Sequence, residues 1–232
     1  MEERKILEEI RLYHEERIKR LKNNETPKRF YEGGKIVLHL IPIDSFRNPI
    51  DYELSVYQEQ QDTLLKPMLT EKIGYSQIYN FDGVLVFSLA SDQTCLSYVQ
   101  LYTNGMIEAV EGFYLTREEK EIPIYSIEQE IILKTACYLS LQQQMGIEPP
   151  VVCYLALLGV REYWIMDRSI DTHFLDIHSF DRDDLILPVL KIDKFDIDTT
   201  KLLKINFDRI WNACGYPGSF QYDEKGEFKA KY

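Results

Sequence analysis

The chain has 232 residues, 45% of them hydrophobic, and a formal net charge of −11. That length favours one large domain with a core of its own, independent of disulfides or metals. The acidic balance opposes free binding to a phosphate backbone, which needs clustered Lys and Arg.

Residues 2–22 predict a helix. Ile6, Ile10, Tyr13 and Leu21 form its apolar stripe, which Leu7 and Ile18 widen. Its basic run Arg17–Lys22, and Lys28-Arg29 beyond it, read as a solvated face. Pro27 ends this segment, and Gly33-Gly34 turns the chain into a strand over 35–41 that is rich in β-branched residues. Residues 43–78 show little periodicity and predict an irregular excursion with a short helix near 57–65. Strands follow at 83–89, 94–102 and 106–114, the last two joined by Asn104-Gly105, a hairpin pair in which both residues tolerate positive φ. A helix is expected over 124–145, capped by Ser126 with Gln129 three residues on and closed by Gly146 before Pro149-Pro150. The apolar run 151–160 reads as a buried strand, because ten residues are too few for a membrane helix of about 20. Its expected partner lies near Tyr163–Met166, with shorter strands at 172–178 and 185–190. A last helix at 199–214 presents Leu202, Leu203, Phe207, Ile210 and Trp211 on its apolar side, and Gly215 closes it. The fold class is therefore α+β: a mainly antiparallel sheet containing a three-stranded meander, flanked by about three helices. The expected organisation is a connector helix at 1–24, a single domain at 25–218 and a loose polar tail at 219–232.

Cys95, Cys137, Cys153 and Cys214 form no CxxC pair and read as free thiols of a reducing, cytoplasmic compartment. The charged N-terminus, Glu2 to Lys5, is unlike a signal peptide.

Chemistry-bearing patterns are sparse. There is no GxSxG elbow, no GxxxxGK[ST] loop and no GxGxxG fingerprint. The richest polar stretch runs from Asp167 to His178 and on through Asp181, Asp183 and Asp184. His173, Asp176 and His178 are candidate ligands for a divalent metal that activates water. If 172–178 is a strand, His173 faces away from His178 and Asp176, and the stretch is a surface strand with acidic turns. His14 and His39 read as packed or exposed histidines. Among the aromatics, Tyr98, Tyr102, Phe113 and Tyr114 lie on the meander and fit core, a partner-binding face or base stacking. Tyr98, Tyr102, Asn104, Phe113 and Arg161 are the candidate binding residues.

The segments Gly33–Pro42, Tyr79–Gly83, Ser97–Ala109, Glu148–Pro150, Leu157–Arg161 and Ile210–Pro217 together resemble the C-terminal region of bacterial proteins that begin with a Schlafen-type AlbA_2 domain, a nucleic-acid-binding module. The resemblance spans residues 10–225, and the module itself lies outside it. It implies an accessory domain that senses, dimerises or docks, in gene regulation or phage defence. The expected function is a non-catalytic binding, assembly or sensor module. It would need no cofactor and no membrane, would take a protein partner or a second copy of itself, and would reach nucleic acid only through a linked module. The alternative is a metal-dependent hydrolase or nuclease using the His/Asp cluster at 173–184.

Overall fold

Along Lys35–Pro42 (β1) the side chains alternate between two buried faces. Ile36, Leu38 and Leu40 point into one apolar cluster, while Val37 and Ile41 join clusters on the other face. A strand buried on both sides needs a layer above and a layer below, and the helices supply both. The computed structural model describes residues 2–48, 50–54, 64–68, 74–116, 120–167 and 178–229. The fold is α+β.

Helix α1 (Glu2–Lys22) covers one face of the sheet with Ile6, Ile10, His14, Ile18 and Leu21. A short helix, α2 (Asp44–Arg47), follows β1. Four strands then run as a meander: β2 (Ser76–Asn80), β3 (Gly83–Leu89), β4 (Cys95–Tyr102) and β5 (Ile107–Glu111). The meander thus has one strand more than the three expected, because Ser76–Asn80 is paired where an irregular segment is predicted. Next come β6 (Glu121–Pro123), α3 (Ile124–Gln144), β7 (Val151–Leu158), β8 (Trp164–Met166), β9 (Asp184–Ile186), β10 (Leu190–Ile192) and α4 (Thr199–Ala213). Helices α3 and α4 cover the second face, packing Ile127, Ile131, Leu203, Phe207 and Trp211 against the inner residues of β1 and β7.

The main sheet has the order β10–β7–β1–β5–β4–β3–β2, with β9 also on β7, and every pairing in it is antiparallel. β9 and β10 pair with opposite ends of β7 and form one interrupted edge. The interruption holds Pro188, which has no N–H for the ladder. The strand expected at 185–190 is therefore two short pieces. Tyr163–Met166 does not pair with β7: β8 lies parallel to β6 in a separate two-stranded sheet.

Two local details depart from expectation, at the hairpin and at the cap of α3. The hairpin between β4 and β5 closes by Gly105 N–H on Tyr102 O and Tyr102 N–H on Met106 O, both 2.9 Å. Only Gly105 takes positive φ (+82°). Asn104 contributes its side chain, which accepts from Met106 N–H at 3.2 Å. Pro123, not Ser126, stands at the N-cap of α3. The cap of α4 is Asp198, whose carboxylate accepts from the amides of Thr200 and Lys201. Gly146 and Gly215 end α3 and α4 with positive φ, as predicted. The short helix predicted near 57–65 falls largely, and the strand predicted at 172–178 almost wholly, outside the described residues.

In the described part of the C-terminal segment, residues 219–222 are packed on the domain. Ser219, Gln221 and Tyr222 are buried, and Phe220 lies 4.7 Å from the Trp211 ring. Ser219 Oγ donates to the buried Glu128 carboxylate (2.9 Å), and Tyr222 Oη to Thr200 O (2.7 Å). Deleting residues 219–232 uncovers Trp211 and Glu128. It is expected to cost at least about 3 kcal/mol, read as a lowered urea midpoint against the full chain.

Candidate functional site

The strand register lines up Tyr154, His39, Glu108 and Gln100 in one row across the sheet. All four side chains point to the face under α1, so a polar row crosses an otherwise apolar surface. His14 and Arg17, three residues apart on α1, reach down to it. Glu108 is 2% exposed and Arg17 12%. Arg17 grips the carboxylate with two hydrogen bonds, Nε to Oε2 at 2.8 Å and Nη2 to Oε1 at 2.7 Å. Tyr98 Oη donates to Oε1 at 2.6 Å, and His39 Nε2 sits 3.0 Å from Oε2. Burial alone would raise the Glu108 pKa. The hydrogen bonds and charges of His39 and Arg17 outweigh it and hold the carboxyl well below the usual range.

An ionised carboxylate only accepts, so His39 carries a proton on Nε2. Its Nδ1 lies 2.8 Å from His14 Nδ1. The His14 ring stacks on Tyr154 with centroids 4.1 Å apart, and its Nε2 has no hydrogen-bond partner. Burial, and then the charge of His39, push the His14 pKa down to about 3, so the ring is neutral at pH 7. A carboxylate that is held by four donors and does not take up a proton is a poor general base. The network fixes α1 on the sheet. It separates two apolar clusters, one around Ile18, Leu21 and Phe87 and the other around Ile6, Ile10 and Ile41.

The predicted binding residues are not gathered in one place. Tyr98 is fully buried and engaged with Glu108. Tyr102 is half-buried under α1 and shares a hydrogen bond with Tyr13. Asn104 belongs to the hairpin turn, where its carbonyl accepts from Ser45 Oγ at 2.8 Å. Phe113 is exposed beyond the opposite end of β5. Arg161 is exposed and bonded to Asp183 Oδ1 (2.8 Å) and Asp181 O (2.6 Å). The basic run of α1 is also not merely solvated, since Arg17 is buried on Glu108 and Lys22 reaches Asp184 Oδ2 at 2.5 Å.

Of the candidate metal ligands, His173 and Asp176 lie outside the described residues. His178 is exposed against Gly215. Asp181, Asp183 and Asp184 are paired with Arg182, Arg161 and Lys22. Among the described residues no three His, Cys, Asp or Glu side chains are grouped to hold a metal ion. No described helix is long and apolar enough to cross a membrane.

The surface feature missed by sequence reading is a row of exposed apolar side chains along β2. Tyr75, Ile78, Tyr79 and Phe81 are exposed there, Phe81 completely. From Gly74 to Phe81 the chain carries no charge and no proline. Asn80 shapes the tip: its Oδ1 accepts from the amides of Asp82 (3.1 Å) and Gly83 (2.9 Å). Its Nδ2 donates to Gln100 Oε1 at 2.7 Å, which ties the tip to the polar row. A groove of about 390 Å³ opens between this tip and the C-terminal half of α1, lined by Arg17, Pro27, Ile78, Phe81, Gln100 and Tyr102. The β9–β10 edge of the sheet is blunted. It is broken at Pro188 and carries Asp184 and Lys191, each in an ion pair with α1.

No protein-family model, curated protein or solved structure matches the chain.

Two predictions follow from the buried charges. Replacing Glu108 by Ala leaves the Arg17 guanidinium without its anion. It is expected to cost about 3–5 kcal/mol, while the double replacement Arg17→Met, Glu108→Leu recovers most of that loss in urea denaturation. The second concerns pH. Burial pushes Glu111 and Glu128 up to about 8, so both favour the folded state fully below about 4.5 and lose that contribution as pH rises through 8. His14 acts in the opposite sense: its contribution is present above 6.5 and is lost as pH falls toward 3. Urea midpoints measured across pH should therefore fall as pH rises from about 4.5 to 8, less steeply in Glu128→Gln, and fall as pH drops from about 4.5 toward 3, less steeply in His14→Phe.

Proposed function

We propose that this chain is a non-catalytic binding and assembly module that serves a nucleic-acid-acting partner in the cytoplasm, with the exposed aromatic row around β2 as its contact surface. The observation that carries the reading is the row of exposed aromatic and apolar side chains Tyr75, Ile78, Tyr79 and Phe81 along an uncharged segment, in a chain of net charge −11. Exposed Tyr and Phe supply large contact area at little entropic cost. The described polar clusters, by contrast, are spent on internal contacts: Glu108 on Arg17 and His39, Glu128 on Trp211 and Ser219, Asp183 on Arg161.

The resemblance to the region that follows Schlafen-type AlbA_2 modules supports the nature of the partner. It also favours a role in gene regulation or phage defence. The acidic surface argues that nucleic acid is reached through that partner rather than touched directly.

The test is retention of proteins from the native host on the purified chain and on a Tyr79→Lys, Phe81→Glu variant. The wild-type chain is expected to hold a nucleic-acid-acting protein that the variant releases. Equal retention by both, or none by either, removes the reading.

A further inference from the structure

We infer that the groove between the β2–β3 tip and α1 holds an arginine side chain from a basic segment of the partner protein. This rests on the reading of the aromatic row around β2 as a contact surface and adds the chemistry of what docks beside it.

The tip is a two-residue turn, Phe81-Asp82, between the paired Asn80 and Gly83. Its backbone is held from two sides. Asn80 Oδ1 accepts from the amides of Asp82 and Gly83, and Asp82 O accepts from Thr103 N–H at 2.9 Å. Its side chains are not held. The Phe81 ring is completely exposed, and the Asp82 carboxylate has no hydrogen-bond or ion-pair partner among the described residues. A fixed main chain thus presents an aromatic face and a free carboxylate side by side, which lowers the ordering cost of binding.

The charge of the groove is negative. Asp82 lines it from the tip, and Glu25 from beyond the end of α1. Glu25 pairs with Arg20 at 3.7 Å, and both side chains are half exposed, so an incoming cation displaces that contact at a cost of about 1 kcal/mol or less. Arg17 is the one cation among the described residues that line the groove. It does not balance the two carboxylates, because Glu108 already neutralises it through two hydrogen bonds.

The floor offers acceptors rather than donors. Gln100 donates its amide hydrogens to Asn80 Oδ1 (3.2 Å) and Leu101 O (3.1 Å). Its Oε1 accepts one bond, from Asn80 Nδ2, and keeps a lone pair. An anion meets carboxylates and occupied amide donors here. A guanidinium meets Asp82, Glu25 and Gln100 Oε1 as acceptors for its five N–H groups. Phe81 offers a face for its flat side, and Pro27 and Ile78 a wall for its methylenes. The net charge of −11 draws a basic segment toward the chain and repels an acidic one. A nucleic-acid-acting partner carries such segments, because a phosphate backbone is held by clustered Lys and Arg.

The experiment is an NMR titration of the full chain with a blocked Gly-Gly-Arg-Gly-Gly peptide. The control is the same peptide with citrulline in place of arginine, which keeps the shape and removes the charge. The backbone amides of Phe81 and Asp82 and the side-chain amide of Gln100 report on the groove. The arginine peptide should shift them saturably, and the citrulline peptide should bind ~5-fold or more weakly. Asp82→Asn and Phe81→Ala should each weaken the arginine peptide about threefold with the melting temperature kept. Added salt should weaken it further. If either variant fails to fold, the peptide pair on the wild-type chain decides alone.

Equal binding of the two peptides overturns the inference. So do shifts confined to residues outside the groove, or an affinity that neither folded variant changes. No peptide binding, alongside a host protein retained through the aromatic row, overturns the arginine and leaves the module reading intact. Specific binding of the arginine peptide by a chain that retains no host protein does the reverse.

Discussion

One buried carboxylate organises this fold. Glu108 sits in the middle of the sheet, where an unpaired charge would be prohibitively costly, and so its partners are obligatory. Arg17 must come from α1, Tyr98 from β4 and His39 from β1. Three elements far apart in sequence are thereby fixed in one arrangement. Apolar burial under α1 provides most of the stabilisation, but it tolerates sliding. A bidentate guanidinium–carboxylate pair does not. The pair sets the register of the helix on the sheet, and Ile6 and Ile10 on one side and Ile18 and Leu21 on the other then fall into their own clusters.

Much of the scaffold is legible in the sequence. β1, β3, β4 and β7 are rich in apolar and β-branched residues and are buried over nearly their whole length. The C-terminal glycines of α3 and α4 sit where their positive φ requires them. Strand β2 is not legible, because Ser-Gln-Ile-Tyr-Asn has both faces largely open to solvent and so shows no alternation. β6 and β8 have three residues each, too few for any pattern.

The polar row is hidden for a different reason. Arg17 and Glu108 are 91 residues apart, and only the strand register brings them together. Read alone, Arg17 belongs to a basic run on a helix. A partial signal was present: His14 completes the i, i+4 stripe of Ile6, Ile10 and Ile18, so its position marks it as inward-facing. Likewise Glu108 occupies an inward position of a strand whose five residues are all buried. The C-terminal segment misleads through composition. Its residues are polar, yet Ser219 and Gln221 are drawn in by hydrogen bonds to Glu128 and Asp167.

The way α1 is fastened gives the fold a mechanical direction. Its first turn is tied to β10 by Glu3–Lys191, its C-terminal half to β5 by Arg17–Glu108, and its last turn to β9 by Lys22–Asp184. A pull along the helix axis does not peel it off residue by residue. It loads these three ties together, in shear, with the buried one the hardest to replace by water. The helix thus works as a splint rather than a hinge, and tension applied at Glu2 reaches β5 in the middle of the sheet before the helix detaches.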